Sequence, residues 1–204
     1  MGCLSFFPTK NLGGAGDGGM MLTSDASIAE RLFKLLVHGG RQMYHHETVG
    51  WNSRLDEIQA AILRVKLPRL GTWSLARADR AAAYDALLHE SGLVARGLAI
   101  PPVRKPGRTH IFHQYVIRVP KDTREGGRDG LRAHLASLGI ASGVYYPLPL
   151  HLQPCFRSLG HARGDFPVSE RAAEEVLALP IYPELSSDQQ ALVVRGIAGY
   201  FGLA

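Results

Sequence analysis

Lys10 stands between an apolar run, Ser5-Phe6-Phe7-Pro8, and a glycine-rich one, Gly13-Gly14-Ala15-Gly16-Asp17-Gly18-Gly19. A lysine beside apolar residues loses part of its hydration, which disfavours the charged form. The neutral amine is a nucleophile that captures carbonyls as Schiff bases. A solvated surface charge is the other use of such a residue. The glycines also spell G-x-G-x-x-G from Gly14 to Gly19. A dinucleotide fingerprint must follow a strand and open a helix. Here the run leads into Met20-Met21-Leu22-Thr23, which reads as a short strand. A tight turn between two strands, with glycines at positive φ, is therefore the better reading. His45-His46-Glu47 is an adjacent set whose side chains diverge. His110 and His113 fall on opposite faces of a strand. Neither has the spacing of a metal site, and no metal is expected.

The wider string Ser5-Phe6-Phe7-Pro8-Thr9-Lys10-Asn11-Leu12-Gly13, continued by Gly16-Asp17-Gly18-Gly19, resembles the cofactor-lysine segment of the nucleotide-sugar aminotransferases of the DegT/DnrJ/StrS group. Two more blocks are similar to signatures of that group. One is Gly50-Trp51-Asn52-Ser53-Arg54-Leu55-Asp56-Glu57-Ile58-Gln59-Ala60-Ala61, and the other is Gly143-Val144-Tyr145-Tyr146-Pro147-Leu148-Pro149-Leu150-His151. The three ordered blocks reach nearly the whole chain and match the second half of the family pattern.

The resemblance implies an α/β chain, the C-terminal part of a fold type I transferase that uses pyridoxal 5'-phosphate (PLP). Residues 1–92 would be the last part of the large cofactor-binding domain, with interface helices, and residues 93–204 a small α+β domain. Lys10 would form the Schiff base, and Ser5 would hydrogen-bond the cofactor phosphate. Asn52 would reach the phosphate of the neighbouring subunit's cofactor, and Arg54 the substrate across the same interface. Tyr145, Tyr146 and His151 would edge the sugar site, although Tyr145 replaces the histidine of some members. The implied reaction passes an amino group from glutamate or glutamine to a keto sugar nucleotide, as in polysaccharide biosynthesis, in a homodimer with shared active sites. Members with histidine in place of the lysine dehydrate, so Lys10 favours amino transfer. The family pattern lacks its first half here, so a C-terminal fragment is expected. The alternative is a non-catalytic fragment or dimerisation module.

These residues need elements to position them. Ser24 or Asp25 caps a helix over 26–37, with Ile28, Leu32, Leu35 and Leu36 at helical spacing and Gly39-Gly40 as its stop. Asn52 and Ser53 open the next helix, Ser53 and Asp56 making a capping-box-like start. Its stripe is Leu55, Ile58, Ile62 and Val65, and Pro68 kinks or breaks it. A further helix spans 72–91. Pro101, Pro102 and Pro106 mark an extended linker. The β-branched and aromatic run 111–119 predicts a strand. Leu131, Leu135 and Leu138 predict a helix stopped by Gly139, and Val144-Tyr145-Tyr146 a short strand. Ala172, Val176 and Leu177 predict another helix. Ser187 with Gln190 caps the last, whose stripe is Leu192, Val193, Ile197 and Tyr200.

The totals agree with a globular chain of one large or two small domains. The 204 residues are 46% hydrophobic and 20% charged, which excludes a disordered or fibrous chain. Two cysteines imply no disulfide framework and suit a reducing compartment. No apolar run approaches membrane-spanning length, so no membrane partner is expected and a cytoplasmic location is. The net charge of +5 is spread over scattered arginines. That pattern argues against nucleic acid and suits an anionic substrate.

Overall fold

Gly2–Ser5 (β1) runs antiparallel to Gly19–Leu22 (β2), with Ser5 opposite Gly19. The strand after the glycine run makes that run a turn between strands, although none of Gly13, Gly14, Gly16, Gly18 and Gly19 takes the expected positive φ. The computed structural model describes residues 1–124 and 126–203. The chain divides into two compact units, Met1–Thr72 and Trp73–Ala204.

In the first unit the hairpin is followed by α1 (Ala26–Leu36) and α2 (Glu57–Lys66). Asp25 caps α1, its carboxylate accepting from the Ser27 and Ile28 amides. The cap of α2 differs from the expected one. Asp56 itself accepts from the Ile58 and Gln59 amides. Residues 52 and 53 are held earlier: Asn52 bridges Val37, and the Ser53 amide donates to the Leu36 carbonyl. Phe6 and Leu63 are the unit's buried apolar side chains among the described residues. All four residues of each strand are exposed, and α1 buries none.

A 3-10 turn at Leu67–Arg69, containing Pro68, leads into α3 (Leu70–Glu90). Beyond Thr72 this helix belongs to the second unit. Its Ala81, Tyr84 and Leu88 are buried in that unit's core, which is why the two compact units part at 72/73.

The second unit then has β3 (Tyr115–Arg118), α4 (Gly127–Ser137), α5 (Pro167–Glu175), β4 (Val176–Leu179) and α6 (Ser187–Tyr200). β3 and β4 pair antiparallel, Tyr115 opposite Leu179 and Arg118 opposite Val176. Single bridges, Ile100 to Arg118 and Gly143 to Ala178, extend this small sheet on either side. The core joins Tyr115 and Ile117 of β3, Leu177 of β4, Leu131 and Leu135 of α4, and Ile197 of α6. Each such side chain contributes about 1.5–3 kcal/mol by burial.

Four expectations are corrected in this unit. Val176 and Leu177 lie on β4, not on a helix. The strand at 111–119 shrinks to Tyr115–Arg118, leaving His110 and His113 outside it. Phe112 has φ +43, and its amide donates to His110 Nδ1, so the chain turns there. Val144-Tyr145-Tyr146 is no strand, since pairing stops at the Gly143 bridge. The cap of α6 also moves by one residue, to a reciprocal pair of Ser186 and Gln189.

Among the described residues no helix is long and apolar enough to cross a membrane, and no three His, Cys, Asp or Glu group as a metal set would.

Candidate active site

Lys10 owes its position to a turn. The apolar Phe6 is buried, its amide donating to the Gly18 carbonyl and its own carbonyl accepting from the Gly14 amide. Phe7-Pro8-Thr9-Lys10 then reverses direction, the Lys10 amide donating to the Phe7 carbonyl at 2.8 Å. Proline suits the second position of such a turn because its φ is already fixed. Ser5 precedes the turn and Lys10 closes it. Ser5 is exposed, and its Oγ accepts weakly from the Phe7 amide at 3.4 Å. Lys10 is half-buried.

The loop behind Lys10 is tied down from α2. Gln59 Oε1 accepts from the Ala15 amide at 2.7 Å, and Lys66 Nζ donates to the Gly13 carbonyl at 2.7 Å. These two lie on one face of α2, two turns apart. Gly13 packs so closely that a Cβ would collide with the Pro8 carbonyl. Sequence reasoning missed Gln59 and Lys66. Their shared helix face was a signal, but the loop they hold is over forty residues away.

Asn52 and Arg54 form a second cluster in the same unit. Arg54 Nε donates to Asn52 Oδ1 at 3.3 Å, and both side chains are exposed. The segment carrying them is fixed by backbone bonds from Trp51 to Leu35 and from His38 to Trp51. An amide and a guanidinium standing out from one short segment suit an anionic group or a carboxylate.

Tyr145, Tyr146 and His151 belong to the second unit. Tyr145 and Tyr146 line a cavity of about 390 Å³ with Pro147, Leu150, Gln153 and Ser169. His151 does not line it. Its imidazole is buried and meets Glu170, Nε2 to Oε1 at 3.0 Å. Glu170 also accepts from the Gly164 amide, at 2.8 and 3.0 Å, and from the Phe166 amide. The Gly164 bond first, then His151 and Phe166, hold its carboxyl below the ordinary range, against the opposing effect of desolvation. Glu170 was invisible as a site residue, since nothing local distinguishes it from other exposed-face glutamates.

With this geometry in hand, comparison with known proteins gives a consistent result. The DegT/DnrJ/EryC1/StrS aminotransferase family matches residues 1–198. A pleiotropic regulatory protein of Geobacillus stearothermophilus is 51% identical over 97% of this chain and 50% of its own length. A UDP-N-acetyl-3-dehydro-alpha-D-glucosamine 3-aminotransferase of Acidithiobacillus ferrooxidans is 44% identical, again over 97% of this chain and 50% of its own. The solved structure of Streptomyces venezuelae DesV, in complex with a ketimine intermediate, superposes with a TM-score of 0.85 at 40% identity, covering 98% of this chain and 51% of that one. The chain spans about half the length of the curated relatives it matches.

Proposed function

The chain belongs to the DegT/DnrJ/EryC1/StrS aminotransferase family, and from that premise we propose that it serves a PLP-dependent transfer of an amino group from glutamate or glutamine to a keto sugar nucleotide. The observation that carries this reading is the fixed, half-buried Lys10, set by the Phe7–Lys10 turn and backed by a loop anchored to Gln59 and Lys66. In this reading residues 1–92 belong to the cofactor-binding part and residues 93–204 to the small domain. The setting is the cytoplasm.

The residues present fit the cofactor. Lys10 offers an amine where the hydrogen-bonded turn closes, and Ser5 an exposed hydroxyl just before the turn begins. PLP, when bound, supplies the electron sink that amino transfer requires. Lys10 Nζ would be the amine that holds the cofactor, and the same amine would serve as the base that moves a proton. The Ser5 hydroxyl would donate to the phosphate. Asn52 and Arg54, exposed on their own segment, would reach the matching site of a second copy in a homodimer, with the guanidinium facing substrate charge. Tyr145 and Tyr146 would wall the sugar nucleotide. Borohydride reduction in the presence of PLP, followed by peptide mapping, tests the reading. A pyridoxyl group on Lys10 is expected, and its absence in a folded chain sinks the assignment.

A second reading, association without catalysis, is favoured by one observation. Leu4, Met20, Met21 and Leu22 of the hairpin and Phe33 of α1 are exposed in the first unit and line one open apolar cleft. Exposed apolar surface of this kind marks an interaction face. Concentration-dependent association in sedimentation, with no PLP uptake, would support it.

A further inference from the structure

The cavity beside Tyr145 and Tyr146 has two walls. Pro147, Leu150 and Gln153 form one, and Ser169, Ala172 and Ala173 of α5 form the other. In sequence His151 follows Leu150, and Glu170 follows Ser169. Neither lines the cavity; they meet each other instead, with side chains only 7% and 11% exposed. We propose that the His151–Glu170 pair is a latch joining the two walls, and that both are positioning residues that set the cavity's width for the ligand beside Tyr145 and Tyr146.

The bonding supports a latch over an incidental contact. An ionised carboxylate only accepts, so the imidazole donates through Nε2. Glu170 takes that bond together with the Gly164 and Phe166 amides, which gathers the 161–166 loop onto the first turn of α5. The Phe166 ring packs against His151, with centroids 4.8 Å apart, and His161 stands edge-on to Phe166 at 5.0 Å. His161 also meets Asp165, Nδ1 to Oδ2 at 3.4 Å, and Arg163 of the same loop reaches Glu174 at 3.7 Å, so the titratable and charged groups on the elements around Glu170 are His151, His161, Arg163, Asp165 and Glu174. Removing the imidazole leaves the part-buried Glu170 carboxylate with the Gly164 and Phe166 amides but no donor from the opposite wall. What the cavity holds rests on the nucleotide-sugar reading; the latch does not.

The test places 3-fluorotyrosine at position 146 in the full chain and, separately, at Tyr182 as a control. In ¹⁹F spectra His151→Ala is expected to split or broaden the 146 signal and leave the 182 signal unchanged. His151→Gln, which keeps an N–H donor, restores the single line. An unaltered 146 signal in His151→Ala overturns the latch. Should that variant fail to fold, Glu170→Gln takes its place under the same criterion. A titration with UDP-N-acetylglucosamine, read on the 146 signal, adds a functional arm. His151→Ala should bind about tenfold more weakly, the loss of one charge-assisted bond, and His151→Gln nearly as well as the parent. Equal affinity in parent and His151→Ala refutes the positioning role, and no response in the parent removes sugar nucleotides from this cavity. Lys10 trapping on the same variants reports separately: its failure beside a normal 146 response sinks the aminotransferase reading and leaves the latch standing.

Discussion

Lys66 Nζ donates a 2.7 Å hydrogen bond to the carbonyl of Gly13, so the last turn of α2 grips the loop that follows Lys10. The contact is part-buried and charge-assisted, which sets it apart from a surface lysine. It also leaves the Gly13 carbonyl with a partner in a place where the turn at Pro8 crowds the backbone.

Replacing Lys66 with methionine keeps the stem and deletes the donor. The bond to a charged group is worth about 1.5–3 kcal/mol, so the loop should loosen by at least that order locally. Amide exchange at Gly14 and Ala15 is the measurement. Both should exchange about tenfold faster or more in Lys66→Met, while amides of the second unit stay unchanged. Unaltered exchange at both would show that Gln59 alone holds the loop.

Much of this was legible in the sequence, and the failures have causes. α1 was readable because Asp25 caps it and apolar residues recur at helical spacing. The turn at Phe7–Lys10 went unread although Pro8 marked it, whereas the glycine run was readable through the strand after it. β4 was misread because Val176-Leu177-Ala178-Leu179 is a short continuous apolar run, and periodicity cannot separate a buried strand from a helix over four residues. The cap of α2 shifted because Asn52 was already engaged with Val37, a pairing between distant residues. His151 shows the same limit at the site. Its segment was visible, but whether its ring faces the cavity or Glu170 is decided by tertiary packing across nineteen positions.

The core of the second unit predicts a response to alkali. The Tyr115 hydroxyl donates to Asp85 at 2.5 Å, and Asp85 also pairs with Arg104 at 2.7 Å. Burial first, with the Asp85 carboxylate adding to it, pushes the Tyr115 phenol above its ordinary 10.0, and burial does the same to the stacked Tyr84. The unfolded chain therefore loses these protons before the folded one does. Stability is whole below pH 10 and falls as pH rises from there toward the folded values. Tyr115→Phe should flatten that alkaline fall in urea titrations. At neutral pH it should cost about 1–3 kcal/mol through the partner left behind, less whatever Arg104 recovers. An alkaline limb that is identical in both proteins would contradict this account.

Acid should act through Glu170. Its carboxyl is held below the ordinary 4.5 by the Gly164 amide, by His151 and by the Phe166 amide. A lowered carboxyl binds its proton later in the folded state than in the unfolded one. Its stabilising effect is thus complete above pH 4.5, begins to go as pH falls past that value, and is lost once the folded carboxyl protonates. A protonated Glu170 carries no charge for the imidazole, so the His151 bond weakens in the same interval. The neutral Glu170→Gln has no such proton to bind and should lack this part of the acid limb, although Asp165, lowered by the Ala162 amide, titrates nearby and remains. Urea midpoints of the second unit at several pH values from 7 down to 3 give the comparison. The parent and Glu170→Gln should differ most at neutral pH and converge toward the acid end. A gap that stays constant across the range would mean that Glu170 holds the loop by shape and not by charge.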